Sequence, residues 1–456
     1  GEAEYGNFDS MKAKATVNIP LGETFALRAA GIYLKRDGYT QNLFLGNRID
    51  DRDLYSVRGS LRWEPTPDTT IDFLASYFHE RDNRTRSQKQ LCQRDPTGIL
   101  GCLNTRLDNS PFNGNSPFTA ALTSREFLAT QGIPQALALG SIYGPDVYAG
   151  TTIPADPRQV NTAFTPQYFT SELTLRGEIE HDFGPIGVAL SGQYQKVKLN
   201  SLQDYNSNIP NRALYAGGLA TLQAAAGGAF GPGLTPYFAP VAAALIPNGP
   251  AGVLCTSQAE ESGLGAFGGN SICDPTSLQF DRSNQTNSSW SAEAIISSDF
   301  DGPFNFLLGG IYADFHLTEN SYYVNAFPID YLTGVFGAFA SAGAGLPPSV
   351  LGQPFFRNNT DDLQITSYGI FGEAYVEVSD RLKLTVGLRY NNDQKDVRAR
   401  SSLANSNGNI FAPHGSTGGL FDSPFGARFD GDSATPCPPG SPAGAVGSGA
   451  GCDPFQ

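Results

Sequence analysis

No run of about 18 consecutive apolar residues occurs in the 456-residue chain, so no helix of it can cross a bilayer. The stretch with the least charge, Ala213 to Ala259, contains no Asp, Glu, Lys, Arg or His. It is nevertheless broken by Pro232, Pro236, Pro240, Pro247 and Pro250, and a spanning helix does not survive that. Basic residues are also in deficit, 30 Lys and Arg against 44 Asp and Glu, a formal charge of −14. Binding to phosphate backbones needs a basic face, so nucleic acid is excluded as a partner. The sequence has no G-x-S-x-G, H-E-x-x-H, P-loop or EF-hand pattern. We therefore expect no catalytic residue, no metal ligand set and no cofactor, and no enzyme. The chain starts Gly1-Glu2-Ala3-Glu4-Tyr5, which reads as strand rather than as a signal peptide.

What is abundant is turn chemistry, with 52 Gly and 31 Pro. The six cysteines fall into three local pairs, Cys92 with Cys102, Cys255 with Cys273, and Cys437 with Cys452, each inside a different Gly/Pro/Ser/Asn-rich stretch. Neighbouring pairs in polar links point to three loop-closing disulfides and an oxidising compartment. A metal site would need closer spacing or adjacent histidines.

The dominant signal has period two. Met11, Ala13, Ala15, Val17 and Ile19 alternate with Lys12, Lys14, Thr16 and Asn18, and Tyr55, Val57, Gly59, Leu61 and Trp63 alternate with Ser56, Arg58, Ser60 and Arg62. Leu173 to Glu180 and Leu382 to Tyr390 repeat it. Such alternation means strands with one apolar and one wet face. About eleven strands follow, near 2–8, 11–19, 24–36, 53–64, 69–80, 168–181, 187–200, 287–298, 304–320, 365–378 and 382–398. Short turns alternate with long links at 37–52, 81–167, 201–286, 321–363 and from 401 onward. This alternation suits an all-β, large antiparallel transmembrane β-barrel with short periplasmic turns and long extracellular loops. A soluble β-sandwich also alternates, but links of that length are abnormal in compact domains.

An Arg or Lys on the lipid face costs about 2–4 kcal/mol at the bilayer midplane. Arg58, Arg62, Arg176, Glu178, Glu373, Glu377, Lys383 and Arg389 are accordingly expected to face the lumen. Tyr33, Trp63, Tyr77, Tyr194, Trp290, Tyr312 and Tyr390, near strand ends on the apolar faces, are placed for interfacial girdles. A spanning sheet has to close on itself, and eleven strands leave two edges. The chain is thus expected to be about half of a barrel, eleven of some 22 strands, occupying 1–456 as one partial barrel domain.

Ser367 to Tyr375, then Leu382-Lys-Leu-Thr-Val-Gly-Leu-Arg-Tyr390 with Asn391-Asn392-Asp393, resembles the mid-barrel hairpin of TonB-dependent outer-membrane receptors. Arg36-Asp37-Gly38-Tyr39, Arg58 to Pro65 and Asn305 to Tyr312 are similar to earlier parts of the same barrel. The resemblance implies a plugged barrel of 22 strands in the bacterial outer membrane. It also implies a receptor that binds a scarce solute, ferric siderophore above all, and imports it with energy relayed by the TonB protein. Cobalamin, haem and sugars are other cargoes of the family. Outer-membrane lipid and lipopolysaccharide would surround it. The sequence departs from the full pattern in having no plug, no energy-coupling segment and no terminal strand ending in an aromatic residue.

Other features stay open at this level. His79 and His316 could meet near the outer rim, or be ordinary rim residues; His181 and His414 lie elsewhere. The cluster Arg48, Asp50, Asp51, Arg52, Asp53 could touch ligand or form a salt-bridged loop stem. The run Arg81 to Arg94 could attract an anionic chelate, contact lipopolysaccharide or be solvated. The apolar parts of the third and fourth long links, Tyr331 to Val350 among them, read either as helices packed on one another or as the lining of a vestibule. Rival functions are a passive porin or adhesin-type barrel, and a barrel enzyme, which would need a constellation absent here.

Overall fold

The computed structural model describes residues 1–87, 92–94, 102–104, 117–154, 156–258, 271–345 and 356–403. Eleven antiparallel strands form one sheet in sequence order. They are β1 (Glu2–Gly6), β2 (Ser10–Pro20), β3 (Phe25–Arg36), β4 (Arg52–Thr66), β5 (Thr69–Asp82), β6 (Gln167–Asp182), β7 (Ile186–Gln203), β8 (Gln279–Ser298), β9 (Phe304–Ala326), β10 (Phe356–Ser379) and β11 (Leu382–Leu403). Every neighbour in this order is a sequence neighbour among the eleven, which is what hairpin-by-hairpin growth produces.

The two faces of the sheet separate by parity. Tyr33, Tyr55, Tyr77, Tyr194, Trp290, Tyr312, Tyr368 and Tyr390 lie on one face, all exposed or partly so. They form a belt that only β6 interrupts, with Leu173 and Leu175 beside Tyr77 and Tyr194: Tyr33 is opposite Tyr55, Tyr194 opposite Trp290, and Tyr312 opposite Tyr368. The Trp290 and Tyr312 rings stack at 4.8 Å, and Tyr55 lies 6.1 Å from Tyr77. Relative to the hydrogen-bond ladder the belt slips two residues at every second strand, as where Tyr55 pairs with His79 while Tyr77 continues the belt. A slip of roughly one residue, about 3.4 Å, per inter-strand step of about 4.8 Å corresponds to a strand tilt of roughly 35°. Level aromatics on tilted strands are what a flat interface requires. A second group, Trp63, Phe183, Phe300 and Phe304, lies exposed at the short-turn end.

Beyond Trp290 the alternation stops. β8 continues as Asn284-Gln285-Thr286-Asn287-Ser288-Ser289, and β10 approaches the belt through Asn358-Asn359-Thr360-Asp361-Asp362. Both faces there are polar, so those ends meet water. The later strands run 20, 23, 24 and 22 residues, longer than period two alone marks. The polar ends read as link by alternation, yet ladder hydrogen bonds to equally long neighbours hold them extended.

The link between β1 and β2 is a short turn at the long-link end, so the alternation of link lengths is not strict. Phe8 and Asp9 have φ of 62° and 48° there, and Phe8 carbonyl accepts from Asp37 N–H at 2.8 Å.

Three long links fold into a cap with its own core. It contains α1 (Pro117–Leu122), α2 (Arg125–Thr130), α3 (Ala216–Ala226), α4 (Thr235–Leu245) and α5 (Phe327–Ala344). Leu128, Leu137, Leu219, Leu222, Phe238, Val241, Phe327, Tyr331 and Phe336 are packed together and wholly or almost wholly buried. Burying each large side chain contributes about 1.5–3 kcal/mol. Of the two readings of the apolar links, helices packing on one another is the observed one. α4 takes Pro236 in its first turn and Pro240 inside, and it stops before Pro247. No helix among the described residues is long and apolar enough to cross a membrane.

Candidate functional site

The charged face lies opposite the aromatic belt. Arg62 faces Asp72 across the β4–β5 register and forms a bidentate pair at 2.9 and 2.7 Å. Arg176 Nη2 lies 2.9 Å from Glu178, Lys383 pairs with Glu377, and the Tyr375 hydroxyl donates to Glu373 at 2.5 Å. Arg389 donates to Asn391 at 2.8 Å and lies over the Phe371 ring. Arg58, on the same face, is opposite Ala30 and Ser76. All eight residues thus share one face of the sheet, and Arg62, Arg176, Glu178, Glu377 and Lys383 among them are ion-paired.

At the long-link end this face continues into a buried polar seam beneath the cap. Arg84 is stacked 3.6 Å over Tyr168 on β6 and donates to Glu80 at 3.3 Å. Two residues on, Arg86 donates to Asp281 on β8 at 2.6 Å, and Gln203 on β7 accepts from Arg86 N–H at 2.7 Å. Tyr322 on β9 also donates to Asp281, at 2.9 Å. The segment after β5 therefore crosses four strands on the face opposite the belt. Part of the arginine-rich run points inward, with its charges held by carboxylates and rings.

The acidic cluster after β3 is a loop stem. Asp50 accepts from Thr85 N–H and hydroxyl, and Thr40 donates to it at 2.5 Å. Asp51 accepts from Asn83 N–H at 2.6 Å, and Arg52 lies 3.7 Å from Glu80. Arg48 reaches the Gly38 carbonyl and the Phe8 ring. Burial raises the Asp51 carboxyl above its ordinary value.

The histidines are not brought together. His79 stacks on Tyr55 at 5.1 Å inside the belt, while His316 lies 2.7 Å from Asp362 four strands away. Four strand spacings are roughly 19 Å. His181 bonds Thr69, and His414 lies outside the described residues. No metal-binding group of three or more ligands occurs among the described residues.

Cys255 and Cys273 face each other on the hairpin of Leu254–Ser257 and Ser271–Asp274 and form a disulfide. The backbone around Cys92 and Cys102 forms two short paired strands, whereas the side chains of those two, and Cys437 and Cys452, lie outside the described residues. Next to this hairpin is a polar centre that the sequence did not flag. Asp330, 1% exposed, accepts from Ser257 N–H at 2.6 Å, Ser257 hydroxyl at 2.7 Å and Asn325 at 3.1 Å. Burial pushes its carboxyl up to about 7 against those hydrogen bonds. Asp204, at the end of β7, is pushed to about 8 for the same reason.

Tilted antiparallel strands, an aromatic belt on one face and paired charges on the other define a large outer-membrane-type β-barrel sheet. Residues 252–418 match the family model described as TonB dependent receptor-like, beta-barrel, so this stretch carries the barrel of that family. Members of that family are outer-membrane receptors and transporters, not enzymes. Similar solved structures include the ferric yersiniabactin uptake receptor FyuA from Yersinia pestis, at 9% identity and TM-score 0.43, covering 87% of this chain and 39% of that one. The ferripyoverdine receptor of the outer membrane of Pseudomonas aeruginosa gives 11% and 0.44, covering 88% and 38%. The ferric-catecholate import receptor Fiu from K12 E. coli gives 10% and 0.42, covering 91% and 44%. The chain spans less than half the length of each of these receptors.

Proposed function

We propose that the chain is barrel wall and ligand-capturing cap of an outer-membrane receptor that imports a scarce solute, ferric siderophore first, with TonB-coupled energy. The observation that carries this reading is the family match over 252–418, a range that includes β8 to β11 and the disulfide hairpin. On this reading residues 1–456 act as one barrel domain. The eight charged residues opposite the belt face the lumen, the three local cysteine pairs are closed, and the long links are extracellular. Ion pairs such as Arg62–Asp72 and Lys383–Glu377 join neighbouring strands along that wall. The folded cap supplies a rigid rim, which lowers the ordering entropy lost on ligand capture.

The test is uptake of radioactive iron, presented as ferric hydroxamate, ferric catecholate or ferric citrate, by cells with and without the whole gene. Uptake of at least one chelate should depend on the gene and vanish when the TonB protein is removed. Uptake that survives TonB loss would replace energy coupling by passive diffusion. Failure with every ferric chelate would remove iron as the cargo.

A further inference from the structure

Asp82 ends β5 with a side chain that is 0% exposed. Its Oδ1 accepts from Arg84 N–H at 3.1 Å, whereas its Oδ2 is buried with no hydrogen-bond donor. The group in hydrogen-bonding contact with Asp82 is a second carboxyl, that of Glu80, whose side chain is 6% exposed. Two ionised carboxylates in contact repel and have no hydrogen to share, a state that burial away from water penalises further. One proton held between them removes the repulsion and gives the unpartnered oxygen a bond. The nearby cations do not take its place. Arg52 Nε lies 3.7 Å from Glu80, and Arg84 donates to Glu80 while its own Nε stays 4.0 Å from Asp82. Arg84 is held off by its stack on Tyr168, the residue opposite Asp82 across the β5–β6 register. Asp51, the other charged group beside Asp82, is one more carboxylate.

The strap that follows Asp82 is held mostly by side chains. Its four consecutive N–H groups, of Asn83, Arg84, Thr85 and Arg86, donate to Asp51 at 2.6 Å, Asp82 at 3.1 Å, Asp50 at 3.0 Å and Gln203 at 2.7 Å. One backbone bond accompanies them, from Asp50 N–H to the Asn83 carbonyl at 3.3 Å. At the far end Arg86 closes on Asp281 and lies over the Tyr322 ring. None of the four N–H groups belongs to a strand ladder, so the strap can lift while every strand of the sheet stays paired.

We propose that Glu80 and Asp82 form a proton-binding site that latches the strap of residues 83–87 across β6 to β9, and that loss of the shared proton releases it. Ionisation sets the two buried carboxylates against each other. The relief is exposure of Asp82, which carries away Arg84 N–H and with it the start of the strap. With the strap seated, burial first and the Glu80 contact second raise Asp82 from 3.8 to about 7. On release the carboxyl meets water and returns to its ordinary value. The seated strap therefore holds the extra proton: its advantage is full below about pH 4 and is lost as pH rises through about 7. The latch depends on contacts within this chain and works whatever the cargo.

The experiment is hydrogen exchange read by mass spectrometry on the whole gene product in detergent micelles, corrected for intrinsic rates, from about pH 5 to about pH 8. Protection of residues 83–86 should fall at least tenfold over that range, as release of about one proton implies. Ladder amides in the middle of β6 and β7 should change less than about twofold over the same range. Asp82→Asn, neutral at every pH, should cut the fall to less than about threefold. Glu80→Gln sets an amide donor beside Asp82, stabilises its ionised form and should move the midpoint toward acid by at least about one pH unit. A full fall that persists in Asp82→Asn, or a midpoint that Glu80→Gln leaves in place, overturns the proton latch. A fall shared equally by the middle of β6 and β7 assigns it to unfolding of the sheet and overturns the strap as the moving part.

Discussion

Asp330 shows how much one residue can carry and how little of that is visible in sequence. It is the single charged residue of α5, so composition alone could have singled it out. Its principal partner Ser257 is 73 residues away, and only packing brings them together. Asp330→Ala leaves the N–H and hydroxyl of Ser257 and the amide of Asn325 short of a partner, and should destabilise the cap by about 1–3 kcal/mol, read as faster hydrogen exchange in α3 to α5. The pH dependence has a definite sign. The carboxyls of Asp330 and Asp204 rise from 3.8 to about 7 and about 8 in the folded cap. Between those values the folded state holds more protons than the unfolded one, so stability falls as pH rises. The contribution is full below about pH 4. It is lost as pH passes through about 7 for Asp330 and about 8 for Asp204. Exchange in the cap should therefore be slower in mild acid than in mild base, after correction for intrinsic rates. Asp330→Asn should flatten that slope, and an unchanged slope in the variant would remove Asp330 as its source.

At the scale of elements, helices and hairpins of the cap are short and depend on one another. α4 and α5 cross where Gly334 leaves room for Val241, since a β-carbon on Gly334 would lie 2.7 Å from Val241 Cγ1. Gly334→Ala should force the pair apart at a cost of about 1–3 kcal/mol, seen as early local unfolding of the cap with the sheet unaffected. The Cys255–Cys273 bridge closes a hairpin whose ends are 18 residues apart. Replacing both cysteines by serine should cost about 3 kcal/mol and open residues 254–274 to limited proteolysis. Strands were legible wherever period two held, which is where one face meets an apolar medium. They were not legible beyond the belt, because a strand wet on both faces has no alternation to show.

For the whole molecule, the decisive property is the sorting of two faces across a tilted sheet. Leu61→Arg puts a charge on the belted face between the two aromatic groups and should cost about 2–4 kcal/mol in urea unfolding from lipid vesicles. Ser60→Arg, one residue away on the opposite face, should cost far less. Equal costs would mean that the belted face does not meet lipid. The sequence by itself determined the strands wherever alternation holds, their hairpin order and the side of the sheet each charged residue occupies. These follow from local alternation and from turn residues, which act over a few positions. Only the tertiary structure decided that the belt stays level on tilted strands, that Arg84 and Arg86 turn inward, and that three separate links share one core. Those outcomes depend on register and on contacts between residues dozens to nearly two hundred positions apart, and no local pattern encodes such pairings.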